Sequence, residues 1–358
     1  MKKTLIAVAA LSAMAASAMA ADVTLYGRLD TGLLYTHSED VLAESTSQFQ
    51  MNSGFTTGSR WGIKGTEEIG SVKVGFTLES GFTSDNGRSA QDNRLFGREC
   101  VLTVGGDFGT FYFGRMGSVV SDAGSVSLLS ATSVFGGAWG YATMKGTTGA
   151  RMDRYDNSVA YVSPSLSGLS FNVMYSMKRN QLASGDEARE NTVETDRYLA
   201  GGLKYANGPF TAVLTADYEM YAGNNVDEGY NIILGGNYKF SAATVYLKGA
   251  YFDNVRNALN TFDAFRTTDA KKGWGVELGT KIPAFGGDIL AAVGYRNAEN
   301  VNNSDDEYKF LTANVGYSYA FSKRTSLWSV IGYAQEKSEV ADDTGKGFQV
   351  GVGLVHKF

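Results

Sequence analysis

Few residues of this chain can do covalent or metal chemistry. Among 358 residues there is one cysteine, Cys100, and there are two histidines, His37 and His356. A single thiol excludes an intramolecular disulfide and any thiolate-cluster zinc site. Histidine-based hydrolysis needs a polarising carboxylate or a serine partner. His356 lies two residues from the end and reads as an interface residue, and His37, beside Glu39 and Asp40, reads as a solvated loop residue. No catalytic residue, cofactor or metal site is expected, because the acidic stretches lack the spacing of a calcium loop. Charge is the chemistry on offer. Arg28 and Lys64 alternate with apolar neighbours at period two, so they project from the polar face of strands.

The elements that would carry such charges follow from composition. The chain is 43% hydrophobic and 19% charged, with 44 glycines, 3 prolines, 20 tyrosines and 20 phenylalanines. Disorder is excluded by the apolar content, and a helical membrane bundle by a mean hydropathy of -0.16. Glycine without proline is neither collagen nor linker. Glycine with Tyr and Phe fits many strands, tightly turned, with aromatics at an interface. An isoelectric point near 5.3 argues against a nucleic-acid partner.

Residues 1–20 carry Lys2 and Lys3, an apolar run from Leu5 to about Ala16, and Ala18-Met19-Ala20. That is the pattern of a secretory signal peptide, and about twelve apolar residues fall short of the ~20 of a spanning helix. Two of the 32 basic residues leave with it, against 37 acidic ones, for a mature net charge of about -7 over residues 21–358.

The mature chain alternates strand after strand. Phe348, Val350, Val352, Leu354, His356 and Phe358 oppose Gln349, Gly351, Gly353, Val355 and Lys357. Ten steps of about 3.3 Å make ~33 Å, and a tilt of about 45° turns this into roughly 23 Å, near the ~25 Å apolar band of an outer-membrane barrel. Val72, Val74, Phe76 and Leu78 likewise oppose Lys73, Thr77 and Glu79. Trp328 to Ala334 declares no face. Sixteen such segments are expected, from 22–35 and 57–66 through 93–105 to 346–358. Short turns alternate with long polar loops at 36–56, 117–152, 179–195 and 254–271. Pro164, Pro209 and Pro283 fall at short-turn ends of strands, where a missing amide donor is tolerated. The fold class is therefore all-β, a transmembrane antiparallel 16-stranded barrel, closed so that no edge meets lipid.

Five stretches in order resemble the Gram-negative general porins of the trimeric, sixteen-stranded, betaproteobacterial type. They are Val23-Thr24-Leu25-Tyr26-Gly27 with Asp30, the run from Ser59-Arg60-Trp61-Gly62 to Ile69-Gly70, Phe108-Gly109-Thr110 leading to Gly114-Arg115, Asn157 to Pro164, and the terminal His356-Lys357-Phe358. The resemblance implies an outer-membrane channel for passive diffusion of small hydrophilic solutes and ions. It also implies a homotrimer in outer-membrane lipid, and a terminal Phe358 offered to the outer-membrane assembly machinery. It further implies that the third outward loop, 117–152, folds into the barrel. The many apolar residues of that loop, Val119, Val120, Leu128, Leu129, Phe135 and Trp139 among them, suit an inner wall better than solvent.

Members of this group set wall arginines against loop carboxylates, and ring charge of that kind sets ion preference. By motif match, Arg60, Arg98 and Arg154 occupy wall positions, beside Arg28 and Lys64 from alternation. Within the loop the only acid is Asp122, while Lys145 and Arg151 add positive charge. Low-dielectric walls concentrate the field, so anions are expected to be favoured. The net acidity then belongs to outer loops, at Asp40, Glu44, Asp186, Glu187, Asp305, Asp306, Asp342 and Asp343. Cys100 is expected on the same side as Arg98, two residues away. Asp85, Arg88 and Asp92 of the second loop are candidates to latch a neighbouring copy. A substrate-specific anion channel, an outer-membrane enzyme and an adhesin are the alternatives.

Overall fold

Strands with one lipid-facing side must find every amide partner in neighbouring strands, and the computed structural model does so with one closed antiparallel sheet. It describes residues 23–39, 45–142, 144–180, 189–223, 226–256, 270–339 and 342–358. The expected signal segment 1–20 and the loop acids Asp40, Glu44, Asp186 and Glu187 lie outside them.

The strands are β1 (Thr24–Glu39), β2 (Thr46–Ser53), β3 (Arg60–Ile69), β4 (Val72–Gly81), β5 (Glu99–Gly106), β6 (Gly109–Gly117), β7 (Arg154–Val162), β8 (Leu169–Ser176) and β9 (Arg197–Asn207). They continue with β10 (Phe210–Met220), β11 (Gly229–Lys239), β12 (Thr244–Val255), β13 (Lys271–Ala284), β14 (Gly287–Asn300), β15 (Asn303–Ala320), β16 (Thr325–Ser338) and β17 (Asp343–Lys357). From β3 onward each strand pairs with the next, and β17 returns to β1 from Arg28↔Lys357 to Glu39↔Lys346. Both β2 and β3 lie against β1, β2 along Thr31–Ser38 and β3 along Thr24–Arg28. They are two halves of one stave, so seventeen segments fill sixteen positions round the wall. The stretch expected as loop 36–56 is in part strand: β1 runs on to Glu39, and β2 returns from Thr46.

The stave breaks at Gly54–Ser59 because Asp30 gathers that segment in. Its carboxylate, wholly buried, accepts from the Thr56 amide at 2.8 Å, the Thr56 hydroxyl at 2.7 Å, the Thr57 amide at 3.0 Å and Trp328 Nε1 at 2.9 Å. Phe55 then stacks on Trp328 at 4.6 Å between centroids. The indole fits because Gly32 and Gly353 bear no Cβ, which in either case would overlap the ring, and a Cβ on Gly351 would crowd it. Trp328, Val330 and Ala334 are buried while Ile331 is 58% exposed, which resolves the face of the stretch that alternation left undeclared.

Outward positions such as Leu25, Leu234, Leu247, Val315 and Val352 are exposed, as a lipid-facing wall requires. The apolar core lies inside instead, under the segment between β6 and β7. Among the described residues it forms short 3-10 turns at Leu129–Ala131, Gly140–Ala142 and Met144–Thr147. The first packs on β10 and β11, the second on β15 to β17, and the third on β13 to β15. Val119, Val120, Val126 and Leu129 are fully buried against inward residues such as Met174, Tyr198 and Ile233. Phe135 and Trp139 join Leu34, Phe55, Trp328 and Val330 in a second cluster. Each such side chain contributes about 1.5–3 kcal/mol over its exposed state, so the segment is held along most of its length.

Polar ties come from the same inward faces. Asn172 donates to the Val126 carbonyl at 2.7 Å, Asn237 to that of Ala131 at 2.9 Å, and Gln349 to that of Trp139 at 2.9 Å. Lys248 pairs with Glu277 at 2.6 Å, and Glu277 also accepts from Ser133 and Thr147 of the loop. Arg296 pairs with Glu336 and donates to the Gly146 carbonyl at 3.0 Å. The loop thus lines the inside of β8–β17 and leaves much of the wall of β1–β7 as the other side of the opening.

Candidate functional site: the pore constriction

On the wall that the loop leaves bare, the arginines come together. Arg60, the first residue of β3, donates from Nε to the Gly58 carbonyl at 3.0 Å and from Nη2 to the Thr57 hydroxyl, and lies 3.5 Å from Glu79 Oε1. Arg98 meets the same oxygen at 2.6 Å, and Tyr26 donates to the other at 3.1 Å. One buried carboxylate therefore orients two guanidinium groups. Arg154 opens β7 within electrostatic reach of Arg98, Arg60 and Arg115; it forms no ion pair among the described residues. Arg28 is on the inward face of β1 near Asp30 and Arg98, and the Lys64 ammonium sits 5.5 Å from the centre of the Tyr26 ring.

The loop residues have other employments. Asp122 accepts from the Gly137 amide at 2.7 Å, so the one loop acid braces its own loop. Arg151 is tied back to Asp153 at 3.2 Å, Glu219 at 3.6 Å and the Arg256 carbonyl at 3.0 Å. Burial works against its charge, but Glu219 and Asp153 outweigh burial and hold its pKa above the ordinary arginine value. Lys145 lines a polar cavity with Arg115, Arg151 and Arg154.

Several charged wall residues escaped the sequence reading. Glu99 is buried and accepts from the Ser125 amide at 2.7 Å and hydroxyl at 2.8 Å. Asp156 joins Arg115 at 2.6 Å to Arg94 at 2.9 Å. Glu79 was already on the polar face of its strand and could have been found by alternation. Arg115 could not, because a register shift between Gly114 and Met116 inverts the parity.

The placing of Cys100 is corrected. Strand β5 begins at Glu99, so Arg98 precedes the alternation and bends inward to Glu79, while Cys100 is exposed beside Leu102 on the lipid side. Charged thiol reagents in the aqueous phase are therefore expected to leave conductance unchanged, whereas a lipophilic maleimide labels Cys100. A current block by the charged reagent would put the thiol in the lumen.

The family profile described as Gram-negative porin matches residues 7–339. An outer membrane porin protein of Bordetella pertussis is 32% identical, with both chains covered end to end. A major outer membrane protein P.IB of Neisseria meningitidis is 30% identical, again over the whole of both. In structure, the anion-selective porin from Comamonas acidovorans superposes with a TM-score of 0.69 at 24% identity, over 94% of this chain and 99% of that one. Matched from end to end, and closed into a sixteen-stave barrel with a charged opening, the chain belongs to the Gram-negative porin family, outer-membrane channels for passive diffusion of ions and small hydrophilic solutes.

Proposed function

We propose that this porin favours small anions, and that Arg28, Arg60, Lys64, Arg98 and Arg154 form the selective wall of its constriction. The observation that carries this reading is the cluster round Arg154. Arg98, Arg60 and Arg115 act on it electrostatically against Glu79, Glu79 is shared by Arg60 and Arg98, and the facing loop spends Asp122 on its own backbone. Positive charge that is not matched by carboxylate, between low-dielectric walls, raises the local anion concentration. Lys145 and Arg151 would extend that potential toward the outer mouth. The test is the reversal potential of the purified protein in a planar bilayer across a KCl gradient. Chloride preference is expected; cation preference would move selectivity to the acidic outer loops. Conductance that saturates with one organic or inorganic anion would favour the substrate-specific reading.

The reading includes no enzyme step. His37 lies 2.9 Å from the Ser47 hydroxyl and 3.6 Å from Glu39, but the side chains of His37 and Glu39 are over a third exposed, with water free to reach them. His356 bonds Thr325 at 2.9 Å on the outward face. It does include a trimer embedded in outer-membrane lipid, and a terminal aromatic read by the assembly machinery. What supports the last point is the seam. Phe358 exchanges backbone hydrogen bonds with Gly27 at 3.0 and 3.1 Å, and its ring lies where a Cβ on Gly27 would be. Removing Phe358 is expected to lower the yield of folded barrel in the outer membrane severalfold while refolding in detergent proceeds. Unchanged yield in cells would deny it the signalling role.

A further inference from the structure

Outward of the arginine wall, basic groups share carboxylates. Asp156 lies between Arg94 and Arg115, and Glu219 between Arg151 and Arg179. Toward the inner mouth, where the short turns and Phe358 lie, the balance is different. Arg28, Lys64, Lys239 and Lys357 form no ion pair among the described residues. Of the acids in that half, Glu68 pairs with Lys73 at 2.9 Å and Asp288 with Lys281 at 3.8 Å. Glu67 falls on the outward parity of β3, and Asp107 lies in the turn after β5. Asp30 acts on Arg28 but is enclosed by its own four donors. The terminal carboxylate accepts from the Gly27 amide at 3.0 Å.

The cations on one wall of this half form a row. Lys357 is the cross-strand partner of Arg28 between β17 and β1, and Arg28 is the partner of Arg60 between β1 and β3. Lys357 shares the inward parity of these arginines, because Val355 is buried while Leu354 and His356 are exposed on the outward side. The row climbs through the barrel. Lys357 ends β17, Arg28 is the fifth residue of β1, and Arg60 stands nine residues above the inner end of β3. Registered neighbours are about 4.5–5.5 Å apart at Cα, so a positive charge is met at each step from the inner mouth to the arginine wall. Like charges directly opposite one another destabilise a sheet. Arg28 meets one on either side, at the seam that closes the barrel, where an acidic partner would strengthen the pairing. Placement against local stability is what functional positions show.

We propose that Lys357 is a further selectivity residue, and that Lys357, Arg28 and Arg60 form one track along which anions move between the constriction and the inner mouth. This rests on the anion reading given above and extends it to the half of the pore below the arginines. Conduction needs sites that attract an ion without keeping it, and several weak sites in line meet that need.

The test uses the full-length protein, purified and folded in detergent, in planar bilayers across a KCl gradient. One unit charge about 7 Å from the ion path in a water-like dielectric changes a permeability ratio by roughly two- to threefold. Lys357→Gln is expected to lower the chloride-to-potassium ratio by about that factor, and Lys357→Arg should keep the wild-type ratio. Lys239→Gln removes the same charge from the same mouth, but from β11 on the far side of the barrel, and should shift the ratio clearly less. Lys357→Glu separates this role from a structural one. It should lower the ratio beyond K357Q while raising the unfolding temperature, because the new carboxylate faces Arg28 across the seam. No shift in K357Q, or equal shifts in K357Q and K239Q, would overturn the proposal. Cation preference in the wild type would sink the anion reading alone, since the comparison of K357Q with K239Q still decides whether Lys357 acts on the ion path.

Discussion

Replacing Arg60, Arg98 and Arg154 together by glutamine is expected to lower the chloride-to-potassium permeability ratio at least tenfold. Each guanidinium removes roughly 0.6 kcal/mol of anion stabilisation at about 7 Å in water, and more where the wall reduces the effective dielectric. Three in one narrow zone approach 2 kcal/mol, and 1.4 kcal/mol is already a factor of ten. The single variants should be unequal. Arg98 shares Glu79 with Arg60, so after Arg98→Gln the remaining arginine can close on the carboxylate. Arg154 has no carboxylate partner among the described residues, so no rearranged pair absorbs the loss, and Arg154→Gln should exceed Arg98→Gln. The reversal potential across a KCl gradient measures each. A triple variant with wild-type selectivity would remove this wall from the mechanism.

The second large effect concerns the loop that makes the opening narrow. Lys248 and Glu277 are 1% and 3% exposed and 2.6 Å apart. Removing one member of a buried pair strands the other charge and typically costs about 3–5 kcal/mol, whereas replacing both by apolar residues of similar size is often neutral. Lys248→Met should therefore lower the thermal unfolding temperature of the purified barrel in detergent clearly, and Lys248→Met with Glu277→Leu should recover most of the loss. Because Ser133 of the loop donates to Glu277, the single variant should also show noisier open-channel current. An unfolding temperature of K248M equal to wild type would mean that the loop does not seal the pair from water.

Much of the wall was legible from alternation. A period of two with one face apolar needs no tertiary information, because a side chain in lipid and one in the lumen meet opposite solvents. Sixteen positions, the closing strand ending at Phe358 and the inward faces of Arg28, Lys64 and Glu79 all follow from that rule. The rule failed where something other than solvent covers a face. Trp328 to Ala334 reads ambiguously because the loop makes an apolar interior there, with Phe55 and Trp139 as neighbours. It failed again where a strand starts late, at Arg98 and Cys100, and where a bulge shifts register, at Arg115.

Composition and alternation were enough to place the chain in its class: lipid-length alternating strands, with too little thiol and imidazole for most chemistry and a surplus of cations near the expected opening. Which carboxylates meet those cations depends on how the closed barrel brings distant strands together. Glu79 and Asp156 are 19 and 62 positions away from arginines they pair with in the fold, and charge pairing depends on distance through space. Net charge along a chain therefore says little about the potential inside its barrel, which is set by the few side chains the closed wall brings within several ångströms of one another.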